Sequence, residues 1–461
     1  MQRRAPDPAR LPAGVTARFA IGSIGTGGFG TLPGLVLVYY LTDTLGVDPI
    51  LAGLAFAIAK LWDVLIDPVI GALTDREFAR TGGRSRLMTI GGIAMIVCFP
   101  LTFAVPTGLP PILSGLWVLV GFILSATAFS LFQVPYMGIP AELTGSYHER
   151  TRLLSMRVIV LSLAILLFGG GGPELRKLGG DDVALGYLLM ALIAAVVLAA
   201  GFLIASTIAT RRHLTAGVAA VAPGTGIGEH FQRAIAVLRQ SQPYRVLVAA
   251  FALQALATGL MLAGAQYVAK WVLGDEDAVT YLFVALIAPA IVLTPVWQLV
   301  SRRIGKTRGF RIATIVFLVA TLAQIVLVWA PGPWVYVTTA LVGAAYSGLQ
   351  ALPMAMLPDV IAVDARRDTN RAGAFSATWT AAETLAMTLG TTLLTVVLAA
   401  TGYVESVAGV QVEQPGAAVA GIALTFSIAP AVLAAVSLLA IRRYPLTEQE
   451  VDALTRQEVA A

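Results

Sequence analysis

Three charged residues share one apolar run, in the segment Lys60-Leu-Trp-Asp63-Val-Leu-Ile-Asp67-Pro68. Spacings of three, four and seven residues put Lys60, Asp63 and Asp67 on one stripe of an α-helix, where they face a common partner or cavity. Two carboxylates one turn apart can bind Na⁺ through oxygen ligands, or share a proton because neighbouring like charges disfavour full ionisation. The alternative is an ion-pair network that only holds helices together. Two acids for one base favour the cation site.

Four other polar side chains inside the apolar runs are candidates for a function, since each charge at the centre of a span costs about 2.5–3.5 kcal/mol. Glu383 is predicted to carry a proton or bind the solute, or else to pair with Lys60 or Arg157. Arg157 needs an acid as a partner and is also a candidate ligand. Gln133 is a neutral candidate ligand, with helix bridging as the alternative. Lys270, near the end of its run, is expected to extend to the membrane interface.

The composition decides which elements position these residues. The chain has 461 residues, of which 57% are hydrophobic and 12% charged, and its mean hydropathy is +0.81. A soluble domain has roughly a quarter charged residues, so a soluble protein is excluded. A membrane-spanning helix needs about 20 apolar residues. The sequence therefore predicts an all-α polytopic membrane protein, and twelve runs are long enough to span: 18–42, 49–74, 86–105, 110–138, 152–171, 184–210, 245–273, 278–300, 310–331, 333–357, 372–401 and 416–441.

Other functional classes are excluded on composition. The single cysteine, Cys98, provides neither a disulfide framework nor a cysteine metal site. The formal net charge of +5 could suggest nucleic-acid binding, but Lys and Arg cluster in short loops on alternate sides, as membrane orientation requires. No ATP-binding loop is present. We expect no cofactor other than a coupling cation, Na⁺ or H⁺, and a monomer whose partners are that cation, a small solute and the bilayer.

The positions of the basic residues predict the orientation of the chain. The loops rich in Lys and Arg fall on the side of both termini, so by the positive-inside rule both termini are cytoplasmic and the protein lies in the plasma (inner) membrane. A polar stretch divides the runs into two sets of six, and the chain is expected to comprise an N-terminal tail (1–17), a six-helix bundle (18–210), a linker (211–244), a second bundle (245–441) and a C-terminal tail (442–461).

The two halves of the chain contain a repeated sequence pattern. Pro135 and Pro140 precede an acid and several arginines at the end of the fourth run, and Pro353 and Pro358 do so at the end of the tenth. Such repetition is typical of two bundles related by an axis along the membrane normal.

A basic loop follows the second run. An acid at a helix end that faces arginines can form a gating latch, which breaks as the two halves rock. Plain cytoplasmic positive charge is the alternative, and the acid favours the latch. The predicted latch comprises Asp75, Arg76, Arg84 and Arg86.

The second-run segment, with Tyr40-Leu-Thr-Asp43, Val134-Pro135-Tyr136 and Pro358-Asp359, resembles the glycoside-pentoside-hexuronide:cation symporters, the melibiose permease-like branch of the major facilitator superfamily. The resemblance covers nearly all twelve runs and implies two six-helix bundles that work by alternating access. It also implies that Asp63 and Asp67 are the cation ligands, that they bind Na⁺ if coupling uses sodium, and that Ser130 assists. The residues near the solute would then be Lys60, Gln133, Tyr136, Arg157 and Glu383.

Three positions depart from that family pattern. Sugar-carrying members have an aspartate where Gly27 aligns and another where Gln133 aligns, and a lysine where Glu383 aligns. Carboxylates are the strongest acceptors for sugar hydroxyls. These departures weaken the case for a sugar. From the resemblance as a whole we expect cation-coupled symport of a sugar or glycoside, with an amphipathic or lysolipid-like solute as the first alternative and drug/proton antiport as the second. Because the glycine motif from Gly25 to Gly30 lies inside an apolar run, it predicts close helix packing and no nucleotide site.

Overall fold

The computed structural model describes residues 11–144, 147–210, 213, 235–365, 372–410 and 412–446. Within these ranges the chain is almost entirely helical. The helices of the first half are α1 (Ala13–Asp43), α2 (Pro49–Thr81), α3 (Ser85–Phe103), α4 (Pro111–Leu143), α5 (Tyr147–Leu175) and α6 (Val183–Ser206). Those of the second half are α7 (Gln242–Tyr267), α8 (Ala278–Ile304), α9 (Lys306–Ala323), α10 (Trp334–Ala365), α11 (Ala372–Ala400), α12 (Gly416–Phe426) and α13 (Ile428–Ile441).

The described residues contain twelve spans that are long and apolar enough to cross a membrane. The last span, Gly416–Ile441, combines α12 and α13, which are interrupted at Ser427. The prediction of an all-α protein with twelve transmembrane helices is therefore confirmed. Of the predicted linker, the structure describes residue 213 and residues 235–244, of which 235–240 are helical and 242–244 belong to α7.

Several helices continue beyond the apolar runs that predicted them. α2 ends at Thr81, α4 at Leu143 and α10 at Ala365, whereas the apolar runs end at 74, 138 and 357. An apolar run marks only the part of a helix that is matched to the hydrocarbon core, and a helix can continue into water with polar residues.

The two halves have equivalent internal packing. In the first half α1 packs on α5 and α6, α2 on α4, and α3 on α4 and α6. In the second half α7 packs on α11 and α13, α8 on α10, and α9 on α10 and α13. Each helix therefore packs on the counterparts of the same neighbours six spans later. The proline pairs that echo one another lie inside α4 and α10, which are the fourth helix of each half.

The halves meet through α1 with α7, α2 with α11, and α5 with α8. The loops α1–α2 and α11–α12 lie on the same side of the protein. We call this side the distal end, because it is opposite the side on which α1 begins. Gly53 of α2 and Thr395 of α11 are near this end, and they pack so closely that a Cβ at Gly53 would overlap the threonine side chain. The structure is therefore closed between α2 and α11 at the distal end.

Candidate functional site

The acidic cluster of α2 lies against α4. The Ser130 hydroxyl of α4 donates a hydrogen bond of 2.9 Å to Asp63 Oδ1. Lys60 Nζ lies 3.8 Å from Asp63 Oδ2, and both side chains are mostly buried, with exposed fractions of 16% and 13%. The helical spacing expected from the sequence thus brings the lysine beside the first aspartate and directs that aspartate towards α4.

Asp67 completes this cluster one turn further along α2. Its carboxylate is within electrostatic reach of Asp63 and Lys60 and close to the Ser130 hydroxyl. One of its oxygens, Oδ1, is buried without a hydrogen-bond partner in the described residues. A buried carboxylate oxygen without a donor is costly, and a bound cation or proton satisfies it. The oxygen donor set of Asp63, Asp67 and Ser130 suits Na⁺ chemically.

Lys60 is held on two sides by aromatic rings. Its ammonium lies 5.5 Å from the ring centroids of Phe29 and Phe122. Cation–π contacts of this kind contribute about 0.5–2 kcal/mol, more when the group is desolvated. With Asp63 on its remaining side, Lys60 is fixed by the protein itself. In this conformation the lysine therefore contributes its positive charge to the acidic cluster, and its contact with a solute stays a prediction.

Gln133 and Tyr136 of α4 both contact α1. Gln133 Oε1 accepts a hydrogen bond of 2.8 Å from the Thr26 hydroxyl. Tyr136 is fully buried, and its hydroxyl donates to the Phe19 carbonyl at 2.7 Å and lies 2.9 Å from Ser23 Oγ. In this conformation Tyr136 therefore joins α4 to α1, and its place near the solute stays a prediction.

Arg157 of α5 lies over the ring of Tyr136, with its guanidinium carbon 5.9 Å from the ring centroid. Its Nε is buried and has no hydrogen-bond partner in the described part of the chain. No carboxylate among the described residues forms an ion pair with it. The expectation that Arg157 pairs with an acid is wrong for this part of the chain, because the ring of Tyr136 occupies the neighbouring position instead.

Glu383 lies on α11 in the other half. It is partly buried, and its charge acts on the Tyr346 phenol of α10. The predicted alternative was an ion pair with Lys60 or Arg157, and within the described residues neither pair forms, since Lys60 is already paired with Asp63. As far as the structure describes the chain, Glu383 therefore stands in the second bundle without a basic partner.

The glycine motif of α1 serves helix packing, as predicted. A Cβ at Gly27 would lie 2.8 Å from Ala164 Cβ and 2.9 Å from the Leu161 carbonyl oxygen, both on α5. Real side chains do not approach so closely, so α1 and α5 touch through this glycine. The position at which sugar-carrying members have an aspartate has no space for one in this structure.

The basic loop after α2 contributes one arginine to an ionic cluster. Arg84 bridges Asp75, at 2.9 Å, and Glu142 of α4, at 2.8 Å. Burial by itself lowers the pKa of the Arg84 guanidinium, but the hydrogen bonds to Glu142 and Asp75 raise that pKa above its ordinary value. Arg76 and Arg86 are exposed, and no ion pair involves them in the described residues. Of the predicted latch, the structure brings together only Asp75 and Arg84.

This ionic cluster lies within one half of the molecule. α2, α4 and the loop before α3 all belong to the first bundle, so the cluster does not join the two bundles. The second bundle has a counterpart, in which Lys306 at the start of α9 bonds to Asp359 of α10 at 2.7 Å. Glu142 and Asp359 stand on helices that are equivalent in the two halves, as the internal repetition suggests. Its role as a gate stays a prediction.

A second charged network, which the sequence did not predict, joins the halves at the distal end. The Asp43 carboxylate is 1% exposed and accepts hydrogen bonds from the Tyr403 hydroxyl at 2.6 Å and from Thr42 Oγ1 at 2.8 Å. Lys270 lies 3.8 Å from Asp43 and 3.2 Å from Glu276. Lys270 therefore lies between a buried acid of α1 and an exposed acid of the following loop, and its extension to the membrane interface stays a prediction.

Backbone contacts reinforce this network. The loop after α11 forms an isolated antiparallel bridge with the end of α1, between Val407 and Leu45. The Ser406 N–H donates to the Thr42 carbonyl at 2.9 Å. We call this region the distal seal and define it by Thr42, Asp43, Leu45, Tyr267, Lys270, Trp271, Tyr403, Ser406 and Val407. The segment Tyr40-Leu-Thr-Asp43 was the only sequence signal for it, since the partners come from distant parts of the chain.

The family of the protein is shown by a match over nearly the whole chain. Residues 18–448 match the MFS/sugar transport protein family, which is nearly the full length of the sequence. The chain belongs to this family. With its relatives, the match confirms the resemblance to the melibiose permease-like symporters, and the protein is a multi-pass membrane transporter of the major facilitator type rather than an enzyme.

Relatives of this family member carry names from two solute classes. The lysophosphatidylcholine symporter 1-A of Danio rerio, which is named as sodium-dependent, is 24% identical over 74% of this chain and 69% of its own. YagG of Escherichia coli (strain K12), named as a candidate glycoside/cation symporter, is 23% identical over 92% of this chain and 89% of its own. An uncharacterized symporter of Synechocystis, sll1374, is 34% identical, but the match spans only 30% of this chain and 28% of that relative.

A solved structure shares the fold of this family member. The nucleoside transporter NupG covers 94% of this chain and 100% of its own with a TM-score of 0.63, at 12% identity. Identity this low shows the fold alone. The major facilitator architecture of two six-helix bundles is thereby confirmed.

Proposed function

We propose that this transporter is a cation-coupled symporter in which Asp63, Asp67 and Ser130 bind the coupling cation. The observation that carries the proposal is the buried, unpartnered Oδ1 of Asp67 beside the hydrogen-bonded pair of Asp63 and Ser130. A purely structural network has no need to leave a carboxylate oxygen unsatisfied at this depth.

The charge of the cluster fits one monovalent cation. Asp63 and Asp67 contribute two formal negative charges and Lys60 one positive charge, so the sum is minus one. One Na⁺ or one H⁺ neutralises this charge. A neutral cluster has a smaller free-energy cost of burial than a charged one when the two bundles move and its surroundings change. The sodium-dependent name of a relative supports Na⁺ as the first choice. The charge of the cluster alone does not distinguish Na⁺ from H⁺ as the coupling ion.

Alternating access supplies the transport cycle in this proposal. The distal seal holds the two halves together at the distal end. When the seal breaks and the opposite ends of the two bundles approach each other, the central cavity becomes accessible from the other side of the membrane. By the positive-inside rule the distal end is extracellular, both termini are cytoplasmic and the protein lies in the plasma membrane. The Asp75–Arg84–Glu142 cluster then lies on the cytoplasmic side, where its intact form steadies the ends of α2 and α4.

Two solute classes remain, and packing favours one. A glycoside is suggested by the family and by YagG, whereas an amphipathic solute is suggested by the lysophosphatidylcholine symporter. Sugar recognition in this fold would require strong acceptors, but Gly27 has no space for a carboxylate and Gln133 offers an amide that is bonded to Thr26. We therefore put the amphipathic solute ahead of the sugar.

Reconstituted vesicles test the coupling. Asp63→Asn and Asp67→Asn are compared with wild type for uptake of a nitrophenyl galactoside and of lysophosphatidylcholine, each under an inward Na⁺ gradient, an inward proton gradient or none. We expect wild type to accumulate one of the two solutes under one of the gradients, and both variants to lose accumulation. Glu405→Gln, at an exposed site, is the control. Unchanged gradient dependence in both variants would falsify the cation site, and efflux driven by an inward proton gradient would replace symport with antiport.

A further inference from the structure

We infer that the second bundle binds an anionic phospholipid at the end opposite the distal seal, with the lipid phosphate held by Arg308, Arg311 and Arg443. The site lies on the outer surface of α9 and α13, in the other half of the molecule from the acidic cluster of α2. The inference shares with the proposed function only the membrane orientation, in which this end is cytoplasmic. Its ligand is a lipid of the surrounding bilayer, which is bound and not transported.

Basic residues without acids mark this end of the second bundle. Residues 301–311, which join α8 to α9, contain five basic residues and no acidic one. Arg442 and Arg443 follow the last residue of α13, and both are exposed. Of these seven cations, only Lys306 forms an ion pair among the described residues, with Asp359 of α10. Six arginines therefore stand at the ends of three membrane spans with no ion pair in the described part of the chain.

Arg311 brings the two groups of arginines together. Its Nη2 donates a hydrogen bond of 3.2 Å to the carbonyl of Ile441, the last residue of α13, so the start of α9 lies against the end of α13. The Nε of Arg311 has no hydrogen-bond partner within the described residues, so the protein satisfies this guanidinium only in part. Arg308, one turn earlier on α9, is exposed. A phosphate group has several acceptor oxygens and can bind more than one guanidinium at once.

Exposed apolar side chains continue from these arginines into the membrane. On α9 they follow one helical face, with spacings of three and four residues: Arg308, Ile312, Ile315, Val319 and Leu322. On α13 the same order begins from the same end: Arg443, Leu439, Val436 and Val432. Each face thus presents a cation at the boundary of the span and hydrocarbon beyond it. A phospholipid of the adjacent leaflet has its phosphate and its acyl chains in the same order.

The first bundle provides an internal comparison. α3 is the counterpart of α9, and it also begins with an exposed arginine, Arg86. There the Glu77 carboxylate accepts hydrogen bonds from the N–H groups of Arg86 and Leu87, at 2.8 and 3.1 Å. The protein thus supplies its own anion at the start of α3, whereas no side chain caps the start of α9 after Gly305. Cations near a helix N-terminus are unfavourable with the helix dipole, and a bound anion compensates both.

A lipid fits this surface better than a free anion does. A ligand that carries both a phosphate and acyl chains contacts the arginines and the apolar faces together, whereas a soluble anion gains nothing from apolar contact. Each basic residue near an anionic lipid surface strengthens binding about fivefold. A lipid with a net negative charge is therefore favoured over one whose phosphate is balanced by its own ammonium group.

Native mass spectrometry of the purified protein in maltoside detergent, whose headgroup is uncharged, tests the inference without any transport measurement. Phosphatidylglycerol, phosphatidylcholine and glycerol phosphate are titrated separately, and the affinity of each is taken from the fraction of protein that carries it. We expect the first phosphatidylglycerol to bind at least tenfold tighter than phosphatidylcholine, and glycerol phosphate not to displace it. Displacement by glycerol phosphate at a similar concentration would make this a site for soluble anions and overturn the lipid assignment.

Two double variants that remove the same charge locate the lipid. Arg308→Gln with Arg443→Gln should lose the preference for phosphatidylglycerol, a fall of tenfold or more in its affinity. Arg76→Gln with Arg86→Gln, at exposed positions on the same end of the first bundle, should keep that preference. The inference is overturned if the two phospholipids bind alike in wild type, or if both double variants weaken phosphatidylglycerol equally, which is the result that diffuse positive charge predicts. Asp63→Asn should bind the lipid as wild type does, so a failure of the cation site and a failure of the lipid site are read separately.

Discussion

The Asp43 carboxylate of α1 accepts a hydrogen bond of 2.6 Å from the Tyr403 hydroxyl, although 360 residues separate the two in the chain. Burial and the nearby Asp43 charge raise the pKa of the Tyr403 phenol well above its ordinary value, so the hydroxyl keeps its proton and donates. Trp271 adds a donor to the same tyrosine oxygen at 2.8 Å. Residues of both halves thus surround one buried acid, and the halves cannot separate at this end without exposing it.

The distal seal can be trapped by a covalent bond. In a Cys98→Ser background, the pair Leu45→Cys and Val407→Cys should form a disulfide on oxidation, because residues opposite each other in an antiparallel bridge have Cβ atoms about 4.5–5.5 Å apart. We expect oxidation to abolish uptake in vesicles and reduction to restore it, since alternating access requires the seal to open. Leu45→Cys alone should be insensitive to oxidation. Full uptake by the cross-linked protein would mean that the seal stays closed throughout transport.

Ser130 should tune the affinity for the coupling cation. Its hydrogen bond to a charged carboxylate contributes about 1.5–3 kcal/mol, so Ser130→Ala should raise the half-saturating cation concentration for uptake about tenfold or more. Ser125→Ala is the matched control, because Ser125 is buried on the same helix but bonds to Thr102 and to the Gly121 carbonyl. An equal effect of both substitutions would show that α4 is merely loosened, and no effect of Ser130→Ala would remove the serine from the cation site.

The second-helix cluster was predictable because it is local. Lys60, Asp63 and Asp67 are related by helical spacing alone, and an apolar run fixes the helix. The contact of Ser130 with Asp63 joins two helices, and only the family resemblance pointed to it. The twelve spans were predictable for the same local reason.

Contacts between residues of distant helices could not be predicted from the sequence, because they depend on how those helices pack. Asp43 and Lys270 belong to different halves, and neither has a local pattern that names the other. Arg157 needed a counter-charge on sequence grounds, and the structure instead packs it against the ring of Tyr136. The helix ends differ from the apolar runs because hydropathy records only the apolar segment, whereas α2 and α4 continue past it to Thr81 and Leu143 and carry Asp75 and Glu142.

Gly27 should be intolerant of any side chain. Gly27→Ala puts a methyl group 2.8 Å from Ala164 Cβ and 2.9 Å from a carbonyl oxygen of α5, so α1 must shift, and overpacking of this kind costs about 1–3 kcal/mol. We expect a lower unfolding temperature in detergent. Gly30→Ala on the same helix has no atom within 4 Å of the new methyl, and alanine is a better helix former by about 1 kcal/mol. That control should be unchanged or slightly more stable, and equal destabilisation of both would contradict the close contact.

The two acids bound by Arg84 should differ in their contribution to stability, because they differ in exposure. The Glu142 side chain is 10% exposed and that of Asp75 is 49% exposed. Breaking a buried ion pair costs up to about 3–5 kcal/mol, since a charge is left desolvated, whereas an exposed pair contributes about 0–1 kcal/mol. Glu142→Gln should therefore lower the unfolding temperature clearly, and Asp75→Asn should change it little. If Asp75→Asn abolishes transport while leaving that temperature unchanged, the exposed acid serves gating rather than stability, because a group that contributes little to the folded state can still be required when the ends of α2 and α4 move.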